Sequence, residues 1–158
     1  NDSKKLNETQ RLVLKDEIIK KALAFGIGVV EVSEIDKINI LNASILAMHK
    51  AISQLKISPD FLLIDGNRFQ PYLSIPHETI VKGDAKFQSI AAASILAKTH
   101  RDYLMNCLHQ KNPGYDWKTN KGYPTLKHRK ALQNFGVSIH HRKTFRLFAV
   151  NSQLNLFN

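Results

Sequence analysis

The stretch IVKGDAKFQSIAAASILAKTHRD, residues 80–102, predicts a strand that gives way to a helix. Its β-branched start leads into a Lys-Gly-Asp turn, and alanine dominates the part that follows. Asp84 stands in the turn, where an acid is well suited to cap the N-terminus of a helix. Ligands of open α/β sheets gather beyond the carboxyl ends of strands. This position makes Asp84 a candidate both for a helix cap and for a binding site.

Outward from this stretch, strand-like and helical patterns alternate along the chain. The apolar runs FLLID, residues 61–65, and GIGVVEVS, residues 26–33, predict strands. Apolar residues at helical spacing predict helices over 8–25 and 34–55, and Ser33 is placed to cap the second of these helices. Helices that alternate with apolar strands are typical of an α/β layer.

The pattern changes after Pro113, where only loops and helices are predicted, including a helix that ends at Gly136. We expect a single domain, because 158 residues are too few to favour two. Its parts are an α/β core over residues 1–112, a helical extension over 113–148 and a flexible tail over 149–158.

Composition excludes several classes of protein. The single cysteine, Cys107, rules out a disulfide framework or a cysteine zinc site within one chain. No apolar run approaches the roughly 20 residues that span a bilayer. We therefore expect a cytoplasmic monomer that does not bind membranes. The chain begins at Asn1 rather than at a methionine, and we expect that it lacks its natural start.

The net charge of +10 is concentrated in the last third of the chain. Between Lys98 and Arg146 there are eleven Lys or Arg residues and only two acids. A surface with charge of one sign most often binds a polyanion, and nucleic acid is the commonest. The alternative is a solvated basic face without a specific partner.

Two acids, Asp65 and Asp84, stand 19 positions apart, and each follows a predicted strand. Carboxylates that meet at the carboxyl ends of strands can bind Mg²⁺ or Mn²⁺, which take oxygen ligands. Taken separately, Asp65 also fits an ordinary Asp-Gly turn, and Asp84 an ordinary cap.

The helix after Asp84 carries Ser94, Lys98 and Arg101 at helical spacing, so the three share one face. A hydroxyl and two cations in a row match a phosphate backbone. The alternative is a solvated face with a Lys98–Asp102 pair. The apolar face beside it, expected to pack on the sheet, comprises Ile90, Ala93, Ala97 and Leu104.

An aromatic residue lies in the basic region. Tyr123, between Gly122 and Pro124, is expected in an exposed loop, where it could stack on a base or sugar. Packing against its own loop is the alternative. His128 aligns with apolar residues at helical spacing and is expected to sit in the core or to anchor a loop. His140 and His141 precede Arg142 and Lys143, and this group is expected to form basic surface.

Five sequence blocks together resemble the ribonuclease HII family: DSKKL (2–6), LLIDGNR (62–68), VKGDAKFQSIAAASILAKTHRD (81–102), KGYPTLKHRKAL (121–132) and HRKTF (141–145). They occur in the order of that family. The resemblance implies a ribonuclease H-like mixed sheet flanked by helices, with a helical C-terminal extension.

The resemblance also implies roles for single residues. Asp65 and Asp84 match the third and fourth metal-binding carboxylates of the family, which would hold Mg²⁺ or Mn²⁺. Tyr123 matches the tyrosine that recognises an RNA–DNA junction by stacking under a sugar. Positions near the nucleic-acid backbone are matched by Arg101 and by Lys4 and Lys5, to which the helix pattern adds Ser94 and Lys98.

The implied activity is metal-dependent endonucleolytic cleavage in DNA replication and repair. Such an enzyme hydrolyses the RNA strand of RNA–DNA hybrids and incises 5′ to ribonucleotides embedded in DNA, leaving 3′-hydroxyl and 5′-phosphate ends. One departure stands against this: the family's Asp-Glu pair and Gly-Arg-Gly loop, which precede DSKKL, are absent. Asp16 and Glu17 do not replace the pair, because they lie in a charged helix. One alternative is a non-catalytic nucleic-acid-binding fragment. A second is a transposase-like nuclease of the same fold, and the presence of Tyr123 argues against it.

The last residues, NSQLNLFN, carry a separate signal. QLNLF resembles the short peptide by which bacterial replication and repair proteins dock on the sliding clamp. Its apolar anchors would be Leu154, Leu156 and Phe157, with Gln153 hydrogen-bonded at the rim of the pocket. The alternative is that these side chains pack on their own domain.

Overall fold

A computed structural model describes residues 6–145 of the chain. These residues form helices and a small sheet, so the predicted α/β class is confirmed. The elements in order are α1 (Glu8–Lys21), α2 (Val32–Ser53), β1 (Leu62–Asp65), β2 (His77–Ile80), α3 (Gly83–Lys86), α4 (Gln88–Lys111), a 3₁₀ turn (Pro113–Tyr115), α5 (Trp117–Asn120) and α6 (Leu126–Phe135).

The described residues divide into two compact units. The first unit comprises residues 6–30 and 41–101, and the second comprises 31–40 and 102–145. None of the helices described between residues 6 and 145 is both long and apolar enough to cross a membrane.

The sheet belongs to the first unit and consists of two parallel strands. In its register Leu62 pairs with His77 and Asp65 pairs with Ile80, so the two strands end level with each other. Leu62, Ile64 and Ile80 are buried, as expected for apolar strand residues that support a core. The strand predicted over FLLID is therefore confirmed.

The strand predicted over GIGVVEVS is not formed. Within the described residues no strand lies beside this segment, and the side chains of Lys50 in α2 and of Gln54, just after α2, bond to its backbone instead. The Ile27 N–H donates to Gln54 Oε1 at 3.4 Å, and Gln54 Nε2 donates to the Ile27 carbonyl at 3.1 Å. Lys50 Nζ donates to the Val29 carbonyl at 3.4 Å. A strand needs a ladder partner, and this segment has side-chain amide and ammonium groups in its place.

The helices begin and end for local reasons that the sequence shows only in part. In α1, Asn7 and Gln10 form a reciprocal capping box, with bonds of 2.8 and 2.9 Å. In α2, the N–H groups of Glu34 and Ile35 both reach the Glu31 carbonyl at 3.0 Å. The helix therefore starts before Ser33, and the prediction that Ser33 caps it is wrong.

An apolar groove of about 490 Å³ lies in the first unit. It is lined by residues of α1, α2, α4 and the segment 24–28. Ala93 and Ala97 of α4 were expected to pack on the sheet, but both are exposed and line this groove. Leu104 is exposed as well, so only Ile90 of the predicted apolar face is buried. The expectation fails because no described residue covers the alanine face.

The second unit is built around a cluster of buried side chains. Its members are Met105, Tyr115, Trp117, Ala131 and Leu132, with Leu108 and Val137 packed against them. Trp117 is 2% exposed and Leu132 is 1% exposed, which makes them the most completely buried large side chains described. From residue 113 to 145 the chain has only helices and loops, as predicted, and α6 ends at Gly136 with a φ of 76°.

Candidate functional site

Asp65 is the last residue of β1, and its side chain reaches toward the end of β2. Its Oδ1 accepts a hydrogen bond from the backbone N–H of Gly83 at 2.9 Å. Gly83 is the third residue after β2, at the start of α3. The bond is possible because the parallel register brings both strand ends to the same level. One carboxylate oxygen of Asp65 is thereby fixed against the turn that carries Asp84.

The turn around Gly83 packs closely against the side chain of Ile90. A Cβ at Gly83 would lie 2.6 Å from Ile90 Cδ1 and 3.4 Å from Asp65 Oδ1. Gly83 is buried, and its neighbour Asp84 is half-buried. Close packing of the turn on Ile90 therefore holds Asp84 near the end of β1.

The prediction that Asp84 caps a helix is wrong. The residue at the N-cap of α3 is Lys82, which has a left-handed φ of 56° and makes no capping hydrogen bond with its side chain. Asp84 lies inside α3, one residue after its start, and the long helix α4 begins only at Gln88. The left-handed turn at Lys82 moves the helix start upstream of Asp84, so its carboxylate is not needed as a cap.

Asp65 and Asp84 supply the type of ligand that Mg²⁺ and Mn²⁺ take, namely carboxylate oxygen. Between residues 6 and 145, however, no group of three or more His, Cys, Asp or Glu side chains is placed to hold a metal ion. Asp16 and Glu17 do not complete the set: both are exposed in α1, and Glu17 pairs with Lys21 at 3.4 Å. The two acids therefore fit part of a divalent metal site and need further ligands.

The cationic residues of α4 lie in the same unit as the two acids. Ser94, Lys98 and Arg101 share one face of the helix by their spacing. Ser94 and Lys98 are half-buried, and Arg101 is exposed. Their arrangement provides one hydroxyl donor and two cations along a line, which suits contacts to successive phosphates.

Tyr123 lies in the second unit, in the loop between α5 and α6. Its side chain is 62% exposed, which confirms the predicted exposed position. Its backbone N–H donates to the Asn120 carbonyl at 2.8 Å, and its own carbonyl accepts from the Thr125 N–H at 2.8 Å. The preceding Lys121 donates from Nζ to Asn106 Oδ1 at 3.0 Å. The ring is thus presented by a loop whose backbone is bonded on both sides.

His128 anchors this region, as the sequence predicts. It is 5% exposed, and its Nδ1 lies 3.1 Å from the Tyr115 carbonyl and 3.3 Å from Asn120 Nδ2. Its backbone N–H donates to the side chain of Thr125, the N-cap of α6, at 3.2 Å. His128 thereby connects the Tyr123 loop to the first turn of the helix that follows.

The prediction of basic surface at His141 is wrong, because this residue is buried and 7% exposed. Its ring lies against Tyr115 and Trp117, at centroid distances of 5.0 and 5.4 Å, and stacks on His128 at 5.3 Å. Burial and, to a smaller extent, the nearby charge of His128 together lower the pKa of His141 to about 4. His141 is therefore neutral near pH 7.

One structural link of the second unit carries no recognisable signal in the sequence. The Asp36 carboxylate accepts from the backbone N–H groups of Lys143 and Thr144 at 2.9 and 3.2 Å and from Thr144 Oγ1 at 2.6 Å. These bonds hold the pKa of Asp36 below its ordinary value, and the hydroxyl of Thr144 has the largest effect. They fix a segment in which the Arg142 guanidinium lies 4.2 Å from the centroid of the Phe145 ring. A link between residues more than a hundred positions apart cannot be found from local patterns.

Several predicted site residues lie outside the described residues 6–145. They are Lys4 and Lys5 at one end and Gln153, Leu154, Leu156 and Phe157 at the other.

Comparisons with known proteins agree on one family. The model of the family described as ribonuclease HII matches residues 1–148. A ribonuclease HII of Phocaeicola vulgatus is 58% identical over 156 residues, which cover 99% of this chain and 78% of the relative. A ribonuclease HII of Bacteroides fragilis is 58% identical over 158 residues, which cover 100% of this chain and 78% of the relative. The crystal structure of the ribonuclease H2 from Pyrococcus horikoshii OT3 is similar with a TM-score of 0.76 and 25% identity, over 92% of this chain and 76% of that chain.

Proposed function

Because the chain belongs to the ribonuclease HII family, a family of hydrolases, we propose that it cleaves RNA joined to or paired with DNA. Its substrates are RNA–DNA hybrids and duplex DNA with embedded ribonucleotides. Cleavage falls on the 5′ side of a ribonucleotide and leaves 3′-hydroxyl and 5′-phosphate ends.

The observation that carries this proposal is the hydrogen bond from Gly83 to Asp65. It ties the carboxyl end of one parallel strand to the turn that carries a second acid, Asp84. Acids gathered at the carboxyl ends of parallel strands are well placed to bind a divalent cation and a phosphate group. An Asp-Gly turn with a purely structural role would not require a second acid beside it.

Asp65 and Asp84 would hold Mg²⁺ or Mn²⁺ together with ligands from outside residues 6–145. When bound, such an ion activates the attacking water and stabilises the leaving 3′-oxygen. Neighbouring residues of the protein hold the two carboxylates in position. The N–H of Gly83 orients the Asp65 carboxylate, and the packing of Gly83 on Ile90 keeps Asp84 in place.

Contacts to the nucleic acid are assigned to both units. Ser94, Lys98 and Arg101 would bind phosphates, with Lys4 and Lys5 near the same backbone. Tyr123, 62% exposed, would stack on the sugar at the junction between RNA and DNA. Phosphate contacts give affinity without sequence preference, whereas the Tyr123 contact gives preference for a ribonucleotide.

The protein is further proposed to act as a cytoplasmic monomer in DNA replication and repair, with its C-terminal tail bound to the sliding clamp. The match to the Bacteroides fragilis relative covers 100% of this chain and so includes that tail.

A cleavage assay tests the proposed activity. The substrate is a labelled DNA duplex with one ribonucleotide, supplied with Mg²⁺ or Mn²⁺, and the positive control is the Bacteroides fragilis relative. The chain is assayed alone and as a chimera in which the segment of that relative preceding the matched region is joined before Asn1. We expect the chimera to incise 5′ to the ribonucleotide, and to stop when the metal is chelated. If the chimera folds and binds the duplex but never cleaves it, the proposed nuclease activity is wrong. The protein would then be a non-catalytic nucleic-acid-binding protein.

A further inference from the structure

Asn120 is a buried polar residue beside the exposed loop of Tyr123. It closes α5, is 5% exposed, and its side chain is fully engaged in hydrogen bonds. Oδ1 accepts from the Gly122 N–H at 2.8 Å, and Nδ2 donates to the Tyr115 carbonyl at 2.7 Å. The backbone carbonyl of Asn120 accepts from the Tyr123 N–H at 2.8 Å. Asn120 therefore bonds to the backbone of both Gly122 and Tyr123, which together set the position of the Tyr123 ring.

The turn that Asn120 holds has an energetically unfavourable backbone conformation. Lys121 and Gly122 both have left-handed backbones, with φ of 50° and 81°. A left-handed conformation is unfavourable for a residue with a Cβ, such as Lys121, unless the surrounding contacts impose it. The bonds from Gly122 and Tyr123 to Asn120 are the contacts that close this turn.

The other end of the Asn120 side chain reaches the best-packed part of the second unit. Its partner Tyr115 stacks on Trp117 with ring centroids 4.8 Å apart and donates from its hydroxyl to the Gly136 carbonyl at 3.1 Å. His128, 3.3 Å from Asn120 Nδ2, belongs to the same buried group. Asn120 is thus a direct link between a rigid core and an exposed ring.

From this geometry we propose that Asn120 is a positioning residue for recognition of a ribonucleotide, and that it acts through Tyr123. The inference rests on the proposed stacking role of Tyr123. Asn120 is too deeply buried to touch nucleic acid itself. It holds the ring at the angle that stacking needs, and the preference for a ribonucleotide is lost when the turn is released.

Binding provides a test that does not depend on cleavage. The affinity of the chain is measured by fluorescence anisotropy, without divalent metal, for a duplex with one ribonucleotide and for an all-DNA duplex of the same sequence. The ratio of the two affinities is the ribonucleotide preference. It is determined for the wild type, Asn120→Ala, Tyr123→Ala and the double variant, with Asn134→Ala, an exposed asparagine of α6, as the matched control.

We expect Tyr123→Ala to lower the preference about tenfold or more, as for the loss of one stacking contact. Asn120→Ala should lower it by a similar factor, and the double variant should be no worse than Tyr123→Ala alone, because the two residues act as one unit. Binding to the all-DNA duplex and the preference of Asn134→Ala should stay unchanged. A double variant whose losses multiply, or an Asn120→Ala that keeps its preference, would refute the positioning role and leave the role of Tyr123 intact.

A preference that survives Tyr123→Ala would overturn both the stacking role and the inference built on it. If Asn120→Ala does not fold, Asn120→Asp decides the question. It keeps an oxygen for the Gly122 N–H and gives up the N–H donation to the Tyr115 carbonyl. We expect this variant to recover most of the preference and to retain slow hydrogen exchange at the Gly122 amide. A folded Asn120→Asp with a protected Gly122 amide and no preference would contradict the proposal.

Discussion

Asp65 at the end of one strand accepts a hydrogen bond from the backbone N–H of Gly83, which lies just beyond the end of the neighbouring strand. The contact joins two chain segments that are consecutive in the sheet but separated by a long loop. It also leaves the second oxygen of Asp65 to serve another purpose. A carboxylate held in this way is pre-oriented, so a cation that binds it does not have to order the side chain first.

The first prediction concerns Asp65→Asn in the chimera that cleaves. We expect cleavage to fall about a hundredfold or more, because a ligand charge is lost where the metal supplies several kcal/mol of stabilisation. The amide oxygen can still accept from Gly83, so the fold and duplex binding should be retained. Asp60→Asn, at an exposed acid shortly before β1, is the matched control and should cleave normally. Equal rates for Asp65→Asn and wild type would show that the metal site is elsewhere.

The second prediction concerns the chain as it stands. Its apolar groove is lined by small residues, Gly26, Gly28, Ala93 and Ala97 among them, and no described residue covers it. Exposed apolar surface lowers the free energy of unfolding and binds hydrophobic dyes. We expect residues 1–158 to melt at a lower temperature than the chimera, to bind more 8-anilinonaphthalene-1-sulfonate and to be nearly inactive. Robust metal-dependent cleavage by the unextended chain would point to a different set of ligands.

The third prediction follows from His141. The pKa of this residue is about 4 in the folded protein, against an ordinary value of 6.5. The unfolded chain therefore binds a proton that the folded one does not, and the free energy of unfolding decreases as the pH falls from 6.5 toward 4. The loss is of the order of 3 kcal/mol at most, at about 1.4 kcal/mol per pH unit. Denaturant unfolding of the second unit at several pH values measures it.

Two variants separate His141 from its neighbours. His141→Asn keeps an acceptor for the Ser138 N–H, which donates to Nδ1 at 3.1 Å, and should flatten the pH dependence while lowering stability at neutral pH. The comparison variant is His140→Asn, at a half-buried residue. It should retain most of the decrease in the free energy of unfolding at acid pH. An unchanged slope in His141→Asn would assign the acid sensitivity to another group.

How far the sequence predicts this molecule depends on the range of the interactions involved. The strand before Asp65, the exposed position of Tyr123 and the anchoring role of His128 follow from short patterns, and the structure agrees with each of these predictions. The cap at Asp84 failed because Lys82 adopts a left-handed backbone, which its residue type does not favour.

Other features depend on contacts between distant parts of the chain. The segment GIGVVEVS has the composition of a strand, yet a strand needs a partner strand. The side chains of Lys50, in α2, and Gln54, just after it, bond to the backbone of this segment instead. His141 has two basic residues after it and still lies in an aromatic core, because Tyr115 and Trp117 enclose its ring. Its burial could not be read from neighbouring residues.

The fourth prediction concerns Asp36, whose carboxylate holds the segment around Thr144. We expect Asp36→Ala to lower the free energy of unfolding by about 1–2 kcal/mol, somewhat less than for fully buried charged hydrogen bonds because the site is near the surface. Hydrogen exchange should become faster at the amides of Lys143 and Thr144, which donate to Asp36. The change Lys37→Ala, at the exposed next residue, is the control. Unchanged exchange at both amides would show that the segment is held by other contacts.

The same contact gives a pH dependence in the same direction as that of His141, because both contributions to the free energy of unfolding are lost as the pH falls, but that of Asp36 is lost at lower pH. The pKa of Asp36 is lowered from its ordinary 3.8 by the hydroxyl of Thr144 and the N–H of Lys143. The charged form is therefore the stabilising one. Its contribution is present above about pH 4 and is lost as the pH falls through the lowered pKa.

The last prediction concerns the C-terminal segment NSQLNLFN, residues 151–158. If QLNLF docks on the sliding clamp, its affinity comes from Leu154, Leu156 and Phe157 entering an apolar pocket, with Gln153 bonded at the rim. A short segment that becomes ordered only on binding has modest affinity, so micromolar dissociation constants are expected. A labelled peptide is titrated with the clamp of Bacteroides fragilis, and Leu156→Ala and Phe157→Ala should each weaken binding about tenfold or more. Asn155→Ala, between the anchors Leu154 and Leu156, is the matched control and should bind normally. Two results would contradict clamp docking: no binding at high micromolar clamp, or binding that neither apolar substitution weakens. Either result would favour the alternative, in which these side chains pack on their own domain.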